Sequence, residues 1–275
     1  MVDLSLLLPT RKRRALVERL LQSLSETSSK PECLEVVLYL DSDDKESQLI
    51  SHPSFSLIPI VGDPGQSMGR MNGQCYNASH GRYIMLINDD ALFRSRSWDA
   101  RVIAAFASFP DGVALVYGND LDQGKSVPTF PALSRTVCDV LGGVCPEVYQ
   151  NLHIESHIFD VFRQLKRLGH NRVVYLDDVI IEHMHHSLGK GEADQTSIKK
   201  NQRGDDVLFI SLDDERRSQA ELLAQYIKSQ TLQAEDWLDQ SSAAQEQARC
   251  GSIQWFKGVV HRVSHLHAAF KKERV

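Results

Sequence analysis

Short apolar runs alternate along the chain with segments whose apolar residues recur at every third or fourth position. The first run is Leu4 to Leu8, and Leu16, Leu20 and Leu24 follow it at helical spacing. Further runs predict strands at 34–40, 55–61, 83–87 and 113–117, and the intervening periodic segments predict helices at 68–79 and 98–109. This alternation predicts an α/β fold with a mostly parallel sheet flanked by helices.

The pattern changes in the second half of the chain. Glycines and prolines between Gly118 and Pro146 predict a stretch without regular structure. A helix is predicted at 155–168, and two short strands follow at 172–175 and 179–183. Beyond Gly204 the pattern predicts helices alone, at 213–228 and 253–270, so we expect one domain at 1–204 and a helical C-terminal extension at 205–275.

Composition excludes several classes of protein. With 275 residues and a formal charge of -5, the chain lacks the surplus of Lys and Arg that a general nucleic-acid binder needs. The apolar run near the start is too short for a signal peptide or a spanning helix, which predicts a cytoplasmic protein. Five scattered cysteines without CxxC spacing indicate reduced, packed thiols, namely Cys33, Cys75, Cys138, Cys145 and Cys250.

Polar residues follow three of the predicted strands where each one ends. These are Pro9-Thr10-Arg11, the run Asp41 to Asp44, and Asn88-Asp89-Asp90. Each alone is more often a solvated turn, but in a parallel sheet all three meet at one edge. Glycine-rich GxGxxG and GxxxxGK[ST] turns are missing, whereas carboxylates suit a divalent cation that in turn holds a diphosphate. The edge therefore predicts a site for a metal-bound nucleotide.

A second source of metal ligands lies near the end of the last predicted strand. Alternation along a strand places His183 and His185 on the same face, and His186 follows them. A lone buried histidine is more often structural, but two at this spacing are as typical of metal binding as of a structural role. No HExxH string of a zinc protease is present.

The order of these motifs resembles that of the GT-A glycosyltransferases, particularly family 2-like members, over residues 4 to 186. Leu6 to Arg11 looks like the first strand and its nucleotide-binding turn, and Gly69-Arg70-Met71-Asn72 with Ala78 to Gly81 looks like the segment before the metal motif. Asn88-Asp89-Asp90 takes the place of the DxD motif. Asn88 departs from the family's pattern, because the first acid is missing.

The resemblance implies a function and a set of roles. The chain is expected to be a metal-dependent glycosyltransferase that uses Mn²⁺ or Mg²⁺, with inversion favoured, a nucleotide-binding half at about 1–117 and an acceptor and metal half at about 118–204. Glu155 is the candidate base, with Asp160 as the runner-up, although an acid at a helix N-terminus is commonly structural. Metal ligands are expected at Asp90, His183 and His185. Nucleotide contacts are expected at Pro9, Thr10, Arg11, Asp41, Asp43, Asp44, Arg70, Asn88 and Asp89.

Expected partners are a nucleotide-sugar donor and a glycan or lipid-linked acceptor. The apolar stripe from Trp255 to Phe270, interspersed with basic residues, allows contact with a membrane surface, but packing on the catalytic domain or on a second copy of the chain is favoured. Two alternatives to a transferase remain: a nucleotidyltransferase, for which the turn after the first strand lacks glycine, and a non-catalytic nucleotide- or sugar-binding relative.

Overall fold

The computed structural model describes residues 1–185, 189–190 and 202–233. Contacts divide the chain into a compact unit from Met1 to Tyr226 and a second unit from Ile227 to Val275. Residues 205–226, expected to start a separate extension, are thus grouped with the first unit. The predicted helix at 253–270, with its possible membrane or dimer contact, and Cys250 and His186 lie outside the described residues.

The sheet has eight strands in the order β3-β2-β1-β4-β7-β6-β8-β5. The strands are β1 Leu4–Thr10, β2 Leu34–Asp41, β3 Ser56–Gly62, β4 Tyr83–Leu86, β5 Ala91–Phe93, β6 Leu115–Asn119, β7 Ala132–Ser134 and β8 Val173–His183. Strands β1 to β4 pair in parallel, as do β6 and β8, whereas β7 and β5 pair antiparallel with their neighbours. The predicted α/β class with a mostly parallel sheet is confirmed.

Seven α-helices lie in the described residues. They are α1 Arg14–Thr27, α2 Met68–Ala78, α3 Trp98–Phe106, α4 Arg135–Leu141, α5 Ile154–Arg167, α6 Gln202–Ser211 and α7 at 213–233. Short 3-10 helices occur at Pro31–Cys33 and Ser47–Leu49. β1 and β2 are buried over their whole length, so the core forms around these central strands.

Three expectations from the sequence were wrong in detail. The stretch between Gly118 and Pro146 holds β7 and α4, because Ser134 caps α4 through the Val137 amide and Gly142 ends it at a φ of 77°. The two strands expected at 172–175 and 179–183 are one strand, β8. Its exposed Asp177 and Asp178 fall where the pairing with β6 shifts register between Gly118 and Asn119.

Gly118 is required for this close pairing. A Cβ added there would lie 2.4 Å from the carbonyl oxygen of Val179, which a real side chain cannot do.

The third error is β5, whose three residues were not predicted. It is too short to produce a periodic signal, yet it pairs antiparallel with the end of β8.

Four cysteines in the described residues, Cys33, Cys75, Cys138 and Cys145, are free thiols. Burial raises the pKa of Cys75 to about 12. No helix in the described residues is long and apolar enough to cross a membrane.

A buried histidine joins α5 to α7. His157 is 2% exposed, its Nδ1 lies 3.1 Å from the hydroxyl of Tyr149, and its Nε2 lies 2.8 Å from Oε1 of Gln219. Burial lowers the pKa of His157 from 6.5 to about 4, with Arg216 acting in the same direction and the bond to Gln219 against it. The folded protein therefore holds His157 neutral where the unfolded chain would protonate it.

This histidine predicts a loss of stability in mild acid. The contribution of His157 is complete above pH 6.5 and is lost as the pH falls towards 4, because the unfolded state binds the proton more strongly; the full difference is roughly 3 kcal/mol. Urea unfolding between pH 7 and 4 should show this decline. It should be shallower in His157→Gln, and unchanged in the control His170→Gln. Equal slopes in all three proteins would contradict the assignment.

Candidate active site at the carboxyl edge of the sheet

The carboxyl ends of β1, β2 and β4 open into a cleft of about 730 Å³. Its walls come from the turn after β1, the start of α2, the segment after β4, the loop before α5 and the end of β8. Of the residues expected from the sequence, the cleft is lined by Pro9, Thr10, Arg11, Asp41, Asn88, Asp89, Asp90, Glu155, His183 and His185. Most of the expected site therefore comes together in one cavity, as ligand sites of parallel sheets do.

Asp89 ties the first strand to the fourth. Its side chain is buried, accepts a 2.7 Å hydrogen bond from the hydroxyl of Thr10 and forms a 2.9 Å ion pair with Arg13. Burial raises the pKa of Asp89, against the opposing effect of Arg13 and Thr10. The carboxylate thus has protein partners on both oxygens, which suits it to fixing the turn after β1 more than to touching a nucleotide.

Arg13 was not among the residues expected at the site. It lines the cleft, and its charge lies close to both Asp89 and Asp90. The basic run from Arg11 to Arg14 is a signal for such a residue, but spacing alone does not say which of these side chains turns inward.

Asp90 and His183, ninety-three positions apart in the numbering, meet because β5 pairs with β8. Ala91 stands opposite His183 in the antiparallel register, and the amide of Met184 donates a 2.8 Å hydrogen bond to the carbonyl oxygen of Asp90. Oδ1 of Asp90 then lies 3.4 Å from Nε2 of His183. The ring of His185 is 5.3 Å from that of His183, centroid to centroid, so both histidines flank the same corner.

The chemistry of this corner fits a divalent cation. Oδ1 of Asp90 is buried and has no hydrogen-bond partner in the described part of the chain, although it faces an imidazole nitrogen. Burial alone would raise the pKa of Asp90, but the histidines and Arg13 bring it below its usual range, so the carboxylate stays charged. Within residues 1–185, 189–190 and 202–233 no three His, Cys, Asp or Glu side chains form a ready-made ligand set. A cation here would take its remaining ligands from water or a bound diphosphate.

Of the three acids in the turn after β2, one lines the cleft and two do not. Asp41 is buried, lines the cleft and pairs with Arg11. Asp43 is exposed and meets the same guanidinium at 2.9 Å. Asp44 is buried and accepts hydrogen bonds from the amides of Lys12 at 2.5 Å and Ser47 at 3.2 Å. Asp41 alone of the three is positioned to contact a ligand, and Asp44 holds the two turns together.

Arg70, the last of the residues expected to contact a nucleotide, is exposed on the first turn of α2. The helix is capped by Ser67, whose hydroxyl accepts a 3.2 Å hydrogen bond from the amide of Arg70. Nothing in the described structure brings the guanidinium of Arg70 into the cleft.

The two candidate bases on α5 have different surroundings. Glu155 lies in the first turn and lines the cleft. Asp160 instead accepts a 2.9 Å hydrogen bond from Nε of Arg216, whose side chain is only 4% exposed. Asp160 therefore stabilises the contact between α5 and α7, and Glu155 is the one of the two that a substrate could reach.

Helix α6 holds the loop that leads to Glu155. Asp205 is 1% exposed, and its two oxygens accept hydrogen bonds of 2.8 to 2.9 Å from the amides of Gln150, Asn151 and Leu152. His153 adopts a φ of 68°, and its Nε2 lies 2.6 Å from Asp206. One carboxylate thus satisfies three backbone donors beside the cleft, which fixes where α5 begins.

Comparison with solved structures supports the same architecture. The mannosyltransferase PcManGT from Pyrobaculum calidifontis, solved with GDP-Man and Mn²⁺, matches with a TM-score of 0.54 at 16% identity, over 88% of this chain and 79% of that one. Glucosyl-3-phosphoglycerate synthase from Mycobacterium tuberculosis, solved with Mg²⁺ and UDP, matches with a TM-score of 0.53 at 12% identity, over 76% of this chain and 79% of that one.

TarS from S. aureus matches with a TM-score of 0.52 at 15% identity, over 66% of this chain. The chain spans 36% of the length of TarS. No protein-family model and no curated protein sequence matches the chain. At these identities the comparisons show the fold, which is the GT-A fold that the order of motifs implied.

The Asp205 contacts predict a measurable local effect. Asp205→Ala leaves three backbone amides without their acceptor, so we expect a loss of roughly 2 kcal/mol in unfolding free energy and faster amide exchange at 150–152. Asp214→Ala, at an exposed position on α7, is the matched control and should change neither. Hydrogen exchange mass spectrometry is the measurement, and unaltered exchange at 150–152 would remove Asp205 from this role.

Proposed function

We propose that this chain is a metal-dependent glycosyltransferase that moves a hexosyl group from a nucleoside-diphosphate sugar to an acceptor hydroxyl. The observation that carries the proposal is the meeting of Asp90 and His183 in the cleft, with a buried carboxylate oxygen that lacks a hydrogen-bond partner in the described residues. The GDP-Man, UDP and divalent cations named in the matching structures support it.

In this proposal the cleft has a donor end and an acceptor end. Asp41, Arg11 and the turn after β1 bind the nucleotide, and Asp90 with His183 would hold Mn²⁺ or Mg²⁺, with His185 beside them. The cation would neutralise the diphosphate and so favour its departure from the sugar. Thr10 and Arg13 keep Asp89 buried, and this fixes the adjacent Asp90 at the edge.

Glu155 acts at the acceptor end. As the acceptor oxygen attacks the anomeric carbon, a carboxylate in the cleft takes the proton of that hydroxyl. A single displacement of this kind inverts the configuration of the sugar, which is the stereochemistry that we propose. The acceptor is a glycan or a lipid-linked glycan, which presents such hydroxyls.

Turnover provides the test of this function. The wild-type chain should release nucleoside diphosphate from one of a panel of nucleotide sugars in the presence of Mn²⁺ and a hydroxyl acceptor. Glu155→Gln should lower kcat by about a hundredfold or more while nucleotide binding is kept, because only the proton acceptor is lost.

Asp160→Asn is the matched control on the same helix. It should lower the melting temperature through its contact with Arg216, and the folded fraction should keep its kcat. Normal turnover in Glu155→Gln would exclude Glu155 as the base. Absence of turnover with every donor would contradict the proposed activity.

A further inference from the structure

One wall of the cleft contains a buried amide whose oxygen makes no hydrogen bond in the described residues. Asn72 on α2 is 5% exposed and lines the cleft. Its Nδ2 donates a 3.0 Å hydrogen bond to the carbonyl oxygen of Met68, and this bond settles which end of the amide is nitrogen. Oδ1 is therefore an acceptor, and it is buried with no hydrogen-bond partner in the described residues.

A buried acceptor without a donor is costly, and in a cleft it points to a ligand that supplies the donor. Gln66, in the loop before α2, also lines the cleft, and its Oε1 is likewise buried without a partner in the described part of the chain. This wall therefore requires hydrogen-bond donors from whatever fills the cleft.

Asn72, whose side-chain oxygen needs a hydrogen-bond donor, lies at the same end of the cleft as Asp41. Cys75, one turn further along α2, is buried close to the backbone of Leu8 and Tyr39, near the ends of β1 and β2. Because α2 begins at the carboxyl edge and runs back over the sheet, Asn72 lies one turn closer to that edge, towards the last residues of β1 and β2. Asp41 is the last residue of β2.

Three polar groups at this end of the cleft thus have a defined role as hydrogen-bond donor or acceptor. Arg11 is a donor, the carboxylate of Asp41 is an acceptor that already binds Arg11, and Oδ1 of Asn72 is an acceptor. The Watson–Crick face of guanine presents the complementary set of groups: one acceptor, O6, and two donors, N1–H and the 2-amino group. Uracil and thymine match the first two groups but present a second carbonyl oxygen, which would repel an acceptor. Adenine and cytosine place an unprotonated ring nitrogen where Asp41 needs a donor.

We propose that the donor nucleotide carries guanine and that Asn72 recognises its 2-amino group. The proposal rests on the function proposed above, because it names the base bound at that site. It makes the substrate a GDP-sugar and makes Asn72 a specificity-determining residue.

Inosine diphosphate (IDP) tests the contribution of the 2-amino group, because its base, hypoxanthine, is guanine without that group. Calorimetric titration of the wild-type chain with Mn²⁺ should give GDP an affinity about tenfold above that of IDP, and above those of UDP, ADP and CDP as well. Equal affinities for GDP and IDP, or tighter binding of UDP, would overturn the guanine assignment while leaving the transferase proposal standing. Binding of none of the five would overturn both.

A variant pair then tests Asn72 itself. Asn72→Leu keeps the size of the side chain but removes the acceptor, so GDP and IDP should bind equally. Asn77→Leu, at an exposed position on the same helix, should keep the wild-type preference. Retention of the preference in a folded Asn72→Leu protein would exclude Asn72 as the group that reads the base. The wild-type comparison of GDP with IDP stands even if Asn72→Leu fails to fold.

Discussion

The buried carboxylate of Asp89, held by Thr10 and Arg13, is the contact on which the site depends. It joins the end of β1 to the segment after β4 and so sets the position of Asp90. Several carboxylates lie at the carboxyl edge of the sheet, and they would repel one another without counter-ions. Arg11 and Arg13, both from the turn after β1, supply that charge. A glycine-rich turn could not, because it would lack the side chains.

A second constraint comes from the antiparallel end of the sheet. The pairing of β5 with β8 brings His183 to Asp90, and α6 fixes the loop before Glu155 through Asp205. The proposed donor end of the cleft is thus built by strand ends, and the proposed acceptor end depends on a contact between α6 and the loop before α5. Oδ1 of Asp90, Oδ1 of Asn72 and Oε1 of Gln66 lack a hydrogen-bond partner in the described residues, and all three residues line the cleft. These three oxygens therefore mark where ligands are required.

Hydrophobic periodicity predicted the strands β1 to β4 and the helices between them, because buried parallel strands and amphipathic helices leave strong local patterns. Strand-end acids and the spacing of the histidines pointed to Asp90 and His183, and the resemblance implied their role as metal ligands. Local patterns could not predict β5 or the continuity of β8, which depend on pairing between distant segments. They also could not assign roles within an acidic run. Asp44 bonds to backbone amides and Asp160 to Arg216, and only the three-dimensional structure distinguishes these carboxylates from Asp41 and Glu155.

The most direct test of the account is to locate the metal. Crystals grown with Mn²⁺ and a nucleoside diphosphate should give an anomalous peak within coordination distance, about 2.0 to 2.5 Å, of Asp90 and His183, with the diphosphate completing the ligand sphere. The peak should disappear in Asp90→Asn and persist in Asp177→Asn, at an exposed position on β8. A peak away from Asp90, or a diphosphate bound elsewhere than in this cleft, would contradict the claim that the edge is a metal-nucleotide site.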